Sequence, residues 1–234
     1  MRGAGNPDAA DTNSEVILIN QHNDGIYHNI DDAVFGPDGY LYVGMGDEGP
    51  PATNNPNTQI IIQDFFSAIL RIDPDKRPGN LEPNPHPAVP TNGSGLAYYS
   101  IPTNNPFLGA TQFNGMAVNP GSVRTEFYVV GLRNPWQFSF DEVTHELWVA
   151  DVGDLMWEEV SIMPPGGNGG WYYFEGTHPR EGTPPPPPGF TYIAPVWEYL
   201  HDIGPVGQHR LRWGGVVRGN TYPSTAGKYI CADV

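Results

Sequence analysis

Residues 32–47 read Asp-Ala-Val-Phe-Gly-Pro-Asp-Gly-Tyr-Leu-Tyr-Val-Gly-Met-Gly-Asp, and their pattern decides the fold. Two apolar runs, Ala33 to Phe35 and Tyr40 to Gly44, flank Gly36-Pro37-Asp38-Gly39, whose Pro and Gly preset a chain reversal. The prediction is a β-hairpin. It returns at 138–154 as Phe-Ser-Phe-Asp-Glu-Val-Thr-His-Glu-Leu-Trp-Val-Ala-Asp-Val-Gly-Asp, where Leu147-Trp148-Val149 answers Leu41-Tyr42-Val43. A recurring hairpin with an aromatic second strand predicts an all-β chain of repeated sheets. The expected architecture is a β-propeller, whose four-stranded blades take about 40 residues each.

Working outward, Ala68 to Ile72 is a third strand, and Glu15 to Ile19, a β-branched run, is expected to be a buried leading strand. The stretch from Pro50 to Thr58, the proline-rich 73–94 and Pro184 to Pro188 read as loops, the last two as extended surface backbone. Residues 1–14 form a polar N-terminal segment, and 15–234 a partial propeller of about three blades plus the leading strand. That is too few to close a ring, which takes roughly four to eight.

Composition agrees. Almost a quarter of the 234 residues are Gly or Pro (29 and 26), against long helices, while 12 Tyr and 6 Trp suit short half-buried strands. With 11 Lys and Arg against 26 Asp and Glu, the net charge of -15 repels nucleic acid and anionic membranes. No apolar run approaches the ~20 residues of a membrane span. Cys231 is the single cysteine, which excludes an intramolecular disulfide and a cysteine-based metal centre. The opening residues carry no apolar signal-peptide core, so either the protein stays inside the cell or its natural start lies upstream.

Three segments carry chemistry. His28 enters a strand at the inner end of a blade, where a histidine can take a proton near neutral pH; on the residues alone a loop histidine bonded to a backbone carbonyl is the commoner reading. His22, His86, His145, His178, His201 and His209 read as ordinary loop histidines, because no spacing makes a metal pair. In Gly131-Leu132-Arg133-Asn134-Pro135-Trp136, Pro135 biases Asn134 toward extended geometry and places Arg133 and Asn134 at a strand entrance. Arg133 there either meets an anion or pairs with an acid or stacks on Trp136, two readings of equal weight. Asp151-Val152-Gly153-Asp154, then Glu158-Glu159 and Gly166-Gly167-Asn168-Gly169-Gly170-Trp171, set hard oxygen ligands beside flexible backbone, a weak Ca²⁺ signal.

The order of these pieces resembles the soluble quinoprotein glucose and sorbosone dehydrogenase family, from about Glu15 to Val234. His28-Asn29 is followed by the first hairpin, Ile69-Leu70-Arg71-Ile72-Asp73, the Gly131 to Trp136 motif, the second hairpin, Gly166 to Trp171, Glu175-Gly176 and Gly214-Gly215-Val216-Val217-Arg218-Gly219. The resemblance implies a six-bladed propeller that binds pyrroloquinoline quinone (PQQ) and Ca²⁺ over its channel and oxidises aldose sugars, passing electrons to an external acceptor. It implies His28 as the general base, and Arg133 and Asn134 as cofactor contacts. It further implies that Gly153 and Asp154 supply carbonyls to the calcium and that Glu159 belongs to a second, structural calcium site.

This chain departs from the pattern in four places. Ile30-Asp31 replaces a Gly-rich turn, Gly169 replaces an aromatic, and Asp154 stands where Pro or Gln is common. Its extent also differs, since a first blade is expected before Glu15 and quinone-gripping basic residues after Val234. The expectation is therefore the middle of a longer periplasmic or secreted protein, inactive by itself. The runner-up is a non-catalytic propeller module binding protein or carbohydrate, and the third reading is a calcium-dependent lactonase, for which the motif order offers no match.

Overall fold

The structure, a computed structural model, describes residues 2–3, 6–49, 56–200 and 211–233. Its strands in chain order are β1 (Arg2–Gly3), β2 (Asn6–Ala10), β3 (Ile30–Phe35), β4 (Leu41–Met45), β5 (Ala68–Ile72), β6 (Gln112–Phe113), β7 (Met116–Ala117) and β8 (Phe127–Val130), followed by β9 (Gln137–Phe140), β10 (Leu147–Asp151), β11 (Trp157–Met163), β12 (Phe174–Glu175), β13 (His178–Pro179), β14 (Trp197–Leu200), β15 (Leu211–Val216) and β16 (Tyr229–Asp233). Helical turns among the described residues are short 3₁₀ segments, and no helix is long and apolar enough to cross a membrane.

Two antiparallel four-stranded blades result, in the orders β3-β4-β5-β8 and β9-β10-β11-β14, and β15-β16 begins a third. The repeated hairpins are the first two strands of successive blades, so β4 and β10 are equivalent as their sequences predicted. At the first turn Gly36 N–H donates to Tyr40 O (2.9 Å), and Gly39 takes a φ of +75°, which its missing side chain permits. Strand β9 packs against both β3 and β15, so the first strands of successive blades are neighbours.

Both faces of the first blade are covered, which explains its near-continuous apolar strands. Met45, Leu70 and Ile72 face one core cluster, whereas Tyr42, Ile69 and Val129 face another shared with Leu132, Phe138, Leu147 and Val149 of the second blade. This second cluster cements blade to blade, each buried side chain contributing about 1.5–3 kcal/mol. Arg71 interrupts the apolar run in β5 without cost, because its guanidinium binds Asp38 (Nη2 to Oδ2, 2.7 Å) and Asn105 (2.9 Å) and lies over Tyr40.

Two expectations change. Residues 15–19 form no ladder: Val16 and Ile17 are half exposed, while Leu18 and Ile19 rest on the first core cluster. The neighbouring backbone is a loop, and Asn20 N–H donates to Ala88 O (2.7 Å), so apolar anchoring replaces strand pairing. The insertion after β5 also does more than cover the surface. It delivers Ala88, Val89, Tyr99, Ile101 and Phe107 into the core of the first blade.

Candidate functional site

His28 occupies the left-handed region (φ 52°) just before inner strand β3, against Gly46. A Cβ on Gly46 would lie 2.4 Å from His28 O and 2.5 Å from His28 Cβ, so only glycine lets the histidine sit there. The imidazole Nδ1 lies 2.6 Å from Asp47 Oδ1, an oxygen that also accepts from Gly49 N–H (2.9 Å), while Asp47 Oδ2 accepts from the Trp171 indole (2.8 Å). Asp47 is completely buried. Burial pushes its acidity toward the neutral form, but the His28 bond, the charges of His28 and Arg133 and the Gly49 amide outweigh this and hold the carboxyl below its usual range. A carboxylate at Nδ1 fixes the proton on that nitrogen and leaves Nε2 as the basic one. Because the imidazole is only 14% exposed, it stands at the edge of solvent rather than in it.

Arg133 and Asn134 precede inner strand β9, as Pro135 predicted. Both Asp151 oxygens brace them, Oδ2 accepting from Arg133 N–H (2.9 Å) and Oδ1 from Asn134 N–H (2.7 Å). Arg133 O in turn accepts from Asp47 N–H (2.9 Å), which joins the His28 pair to the Arg-Asn pair. The guanidinium donates through Nη1 to Val152 O (3.0 Å) and Gly153 O (2.5 Å), and through Nη2 to Asp154 Oδ1 (3.1 Å). It lies 5.5 Å over the Trp171 ring, so the stacking partner is Trp171 and not Trp136. Arg180 approaches the same ring at 4.8 Å and holds Asp154 Oδ2 at 2.8 Å.

Behind this surface runs a line of carboxyls. Asp31 sits in the irregularity between Ile30 and Ala33, and its Oδ2 is buried without a partner. Burial, then the charges of Asp151, Asp32 and Asp47, push its pKa up to about 7. Asp151 also rises to about 7, through burial and Asp47 against the stabilising Arg133 and Asn134 amides. Glu159, its register partner on β11, is driven well above the usual carboxylate range by burial and by Asp151, and its Oε1 accepts from Gly176 N–H (2.6 Å). Glu175 Oε1 collects four backbone amides, those of residues 154 to 157, at 2.7–3.1 Å, and fixes the turn that carries Gly153 and Asp154.

His28, Arg133, Asn134, Gly153 and Asp154 thus belong to one network of contacts, and Glu159 pairs in register with Asp151 beside it. The sequence reading gave no role to Asp47, Trp171, Arg180 or Glu175. Asp47 ends the first hairpin, yet nothing in the spacing pairs it with a tryptophan from the next blade. A carboxylate-bearing ligand suits the cations here: the donor Arg133 Nε is buried without a partner and two guanidinium groups lie together against the Trp171 ring, while the unpartnered Asn134 Oδ1 can only accept. Calcium does not suit it as arranged. Gly153 O already accepts from a guanidinium, Asp154 is held by two, and no group of three metal-binding side chains occurs among the described residues. His86 and His178 make ordinary contacts, His178 with Glu198 and the Trp157 ring, and His201 and His209 lie outside the described residues.

The sequence pattern of the family described as Glucose / Sorbosone dehydrogenase matches residues 97–228, more than half of the chain. HIPL1 protein and HIPL2 protein of Arabidopsis thaliana are each 34% identical to it, over 88% and 86% of this chain and 28% and 27% of their own length. The chain therefore spans little more than a quarter of these curated relatives. A solved glucose dehydrogenase superposes with a TM-score of 0.56 at 18% identity, over 86% of this chain and 45% of that one. The soluble aldose sugar dehydrogenase of Escherichia coli in its apo-form gives 0.53 at 18% identity, over 86% and 46%. At that identity the likeness is one of fold, and it extends the two blades described above into part of a propeller. Fold, motif order and sequence pattern converge: the chain belongs to the glucose/sorbosone dehydrogenase family.

Proposed function

We propose that a longer protein carrying this chain oxidises aldose sugars at C1 with pyrroloquinoline quinone, and that His28 is the general base. The observation that carries this reading is the joining of His28 and Arg133 through Asp47. When bound, the quinone supplies the two-electron acceptor for the hydride from C1. The chain's own residues do the rest. Nε2 of His28 takes the C1-hydroxyl proton, and Asp47 holds the ring and balances the imidazolium that forms. Arg133 and Asn134 orient the anionic cofactor and offset charge growing on it. No step is assigned to calcium, because the Gly153 oxygen it would need is held by Arg133. An external electron acceptor completes the cycle, and the proposed location is the periplasm or outside the cell.

The test is dye-linked aldose oxidation by the longer gene product, with and without His28→Ala, beside the 234-residue chain alone. Activity is expected in the longer protein, absent from His28→Ala and negligible in the chain alone. Robust activity of His28→Ala would remove the assigned base. A second reading, a non-catalytic module binding protein or carbohydrate, is favoured by Ile30, 56% exposed beside His28 where it can crowd a sugar. A longer protein that binds the quinone yet oxidises no sugar would select it.

A further inference from the structure

Asp154 is a carboxylate shared between two guanidinium groups that come from distant parts of the chain. Arg133 Nη2 donates to its Oδ1 at 3.1 Å, and Arg180 Nη2 and Nε to its Oδ2 at 2.8 and 3.3 Å. All three side chains are between 10% and 14% exposed, so the contact is largely desolvated, where such charge-assisted bonds are strong. Both arginines lie over the face of Trp171, at 5.5 and 4.8 Å. Arg133 is poorly used in this arrangement. Its Nη1 meets only neutral carbonyls, and its Nε is buried without an acceptor. A guanidinium fork matches a carboxylate edge-on with two parallel bonds, which Asp154 does not give it.

We propose that Arg133 and Arg180 form one carboxylate seat beside the Trp171 ring, that Asp154 occupies this seat as an internal counter-ion when no ligand is bound, and that a carboxylate of the ligand displaces it. This assigns Arg180 as a ligand-binding residue and Asp154 as a competitor of the ligand. The inference rests on the dehydrogenase reading of the site and names residues within it.

Charge selects the ligand class. Trp171 is buried and its ring is already covered by the two guanidinium groups, so it holds the cations in place and the ligand is recognised by its carboxylates.

Binding is measured by calorimetry and tryptophan fluorescence on the longer gene product that carries this chain, as wild type, Asp154→Asn, Arg180→Gln and the double variant, with circular dichroism checking each fold. Two probes are used, pyrroloquinoline quinone and pyridine-2,6-dicarboxylate, a flat dicarboxylate without a quinone. Asp154→Asn is expected to tighten binding about tenfold, because the competing carboxylate is gone while the shape remains. Arg180→Gln is expected to weaken it about tenfold, and equally so in the Asp154→Asn background. That persistence matters. If Arg180 served only to hold Asp154, its loss would change nothing once Asp154 is neutral, and the proposal would be overturned. Arg180→Lys, which keeps the charge without the fork, is expected to recover only part of the affinity. Should the dicarboxylate follow these expectations while the quinone binds no better than it does, the seat stands and the quinone reading falls. Quinone binding that is equal in all four proteins leaves the dehydrogenase reading and removes the seat. Failure of both probes to bind any of the four folded proteins also overturns it.

Discussion

The backbone N–H of Asp47 donates to the carbonyl of Arg133 at 2.9 Å, so the end of one blade's second strand is tied to the entrance of the next blade's inner strand. The same Asp47 receives His28 on one oxygen and the Trp171 indole on the other. A single buried residue therefore ties together the assigned base, the assigned cofactor contact and the Trp171 ring, the first and last through its carboxylate and the second through its backbone. Loss of the carboxylate is felt first at His28 and Trp171.

Asp47→Asn preserves volume but allows the amide to face His28 with either its oxygen or its nitrogen, so the imidazole proton is no longer held on Nδ1. Aldose oxidation by the longer protein is expected to fall by about 10²- to 10⁴-fold with the fold retained. Steady-state kinetics beside a thermal melt check this, and a rate within threefold of wild type would remove Asp47 from the positioning role.

Stability should depend on pH through the buried carboxyls. Asp31, raised to about 7, binds its proton more tightly in the folded chain than in the unfolded one. Its contribution is thus fully present below pH ~4 and lost as pH rises toward 7. Asp47, held low, acts oppositely: its contribution is present above pH ~4 and lost as pH falls through its lowered value. Asp31→Asn is therefore expected to stabilise the chain at pH 8 by about 1–3 kcal/mol and to have little effect at pH 4. Urea unfolding at the two pH values measures the difference, and equal effects at both would contradict the burial argument.

Gly46→Ala places a methyl 2.4 Å from His28 O, in contact with backbone that cannot move freely. The His28 turn must shift, and a loss of about 1–3 kcal/mol is expected together with a changed His28–Asp47 contact. The imidazole NMR signals of His28 report the second effect directly, and unchanged signals would show that the turn adapts without moving the ring.

Glu175→Gln keeps an oxygen near the amides of residues 154–157 but removes the charge that four N–H groups now share. The cost is expected to be about 1–3 kcal/mol, with faster amide exchange confined to that turn. Hydrogen exchange of those four amides checks it, since a merely global destabilisation would accelerate exchange throughout the blade.

The sequence alone determined the hairpins, because a hairpin is local. Gly36-Pro37-Asp38-Gly39 and the flanking alternation carry their own geometry, and repetition at Leu147-Trp148-Val149 was enough to imply repeated blades. It also determined that Arg133 and Asn134 stand at a strand entrance, since Pro135 acts on its immediate neighbour. The fate of Glu15 to Ile19 was not local: an apolar run becomes a strand only where a backbone partner is present, and here the neighbour is a loop. The tertiary structure alone decided which acid meets which base. Asp47, Asp151, Asp154 and Glu175 look alike in an acidic sequence, but each has a different partner. Blade packing brings chain segments from 28 to 180 within hydrogen-bond distance in a poorly solvated space, where pairing and desolvation outweigh any preference a residue shows by itself.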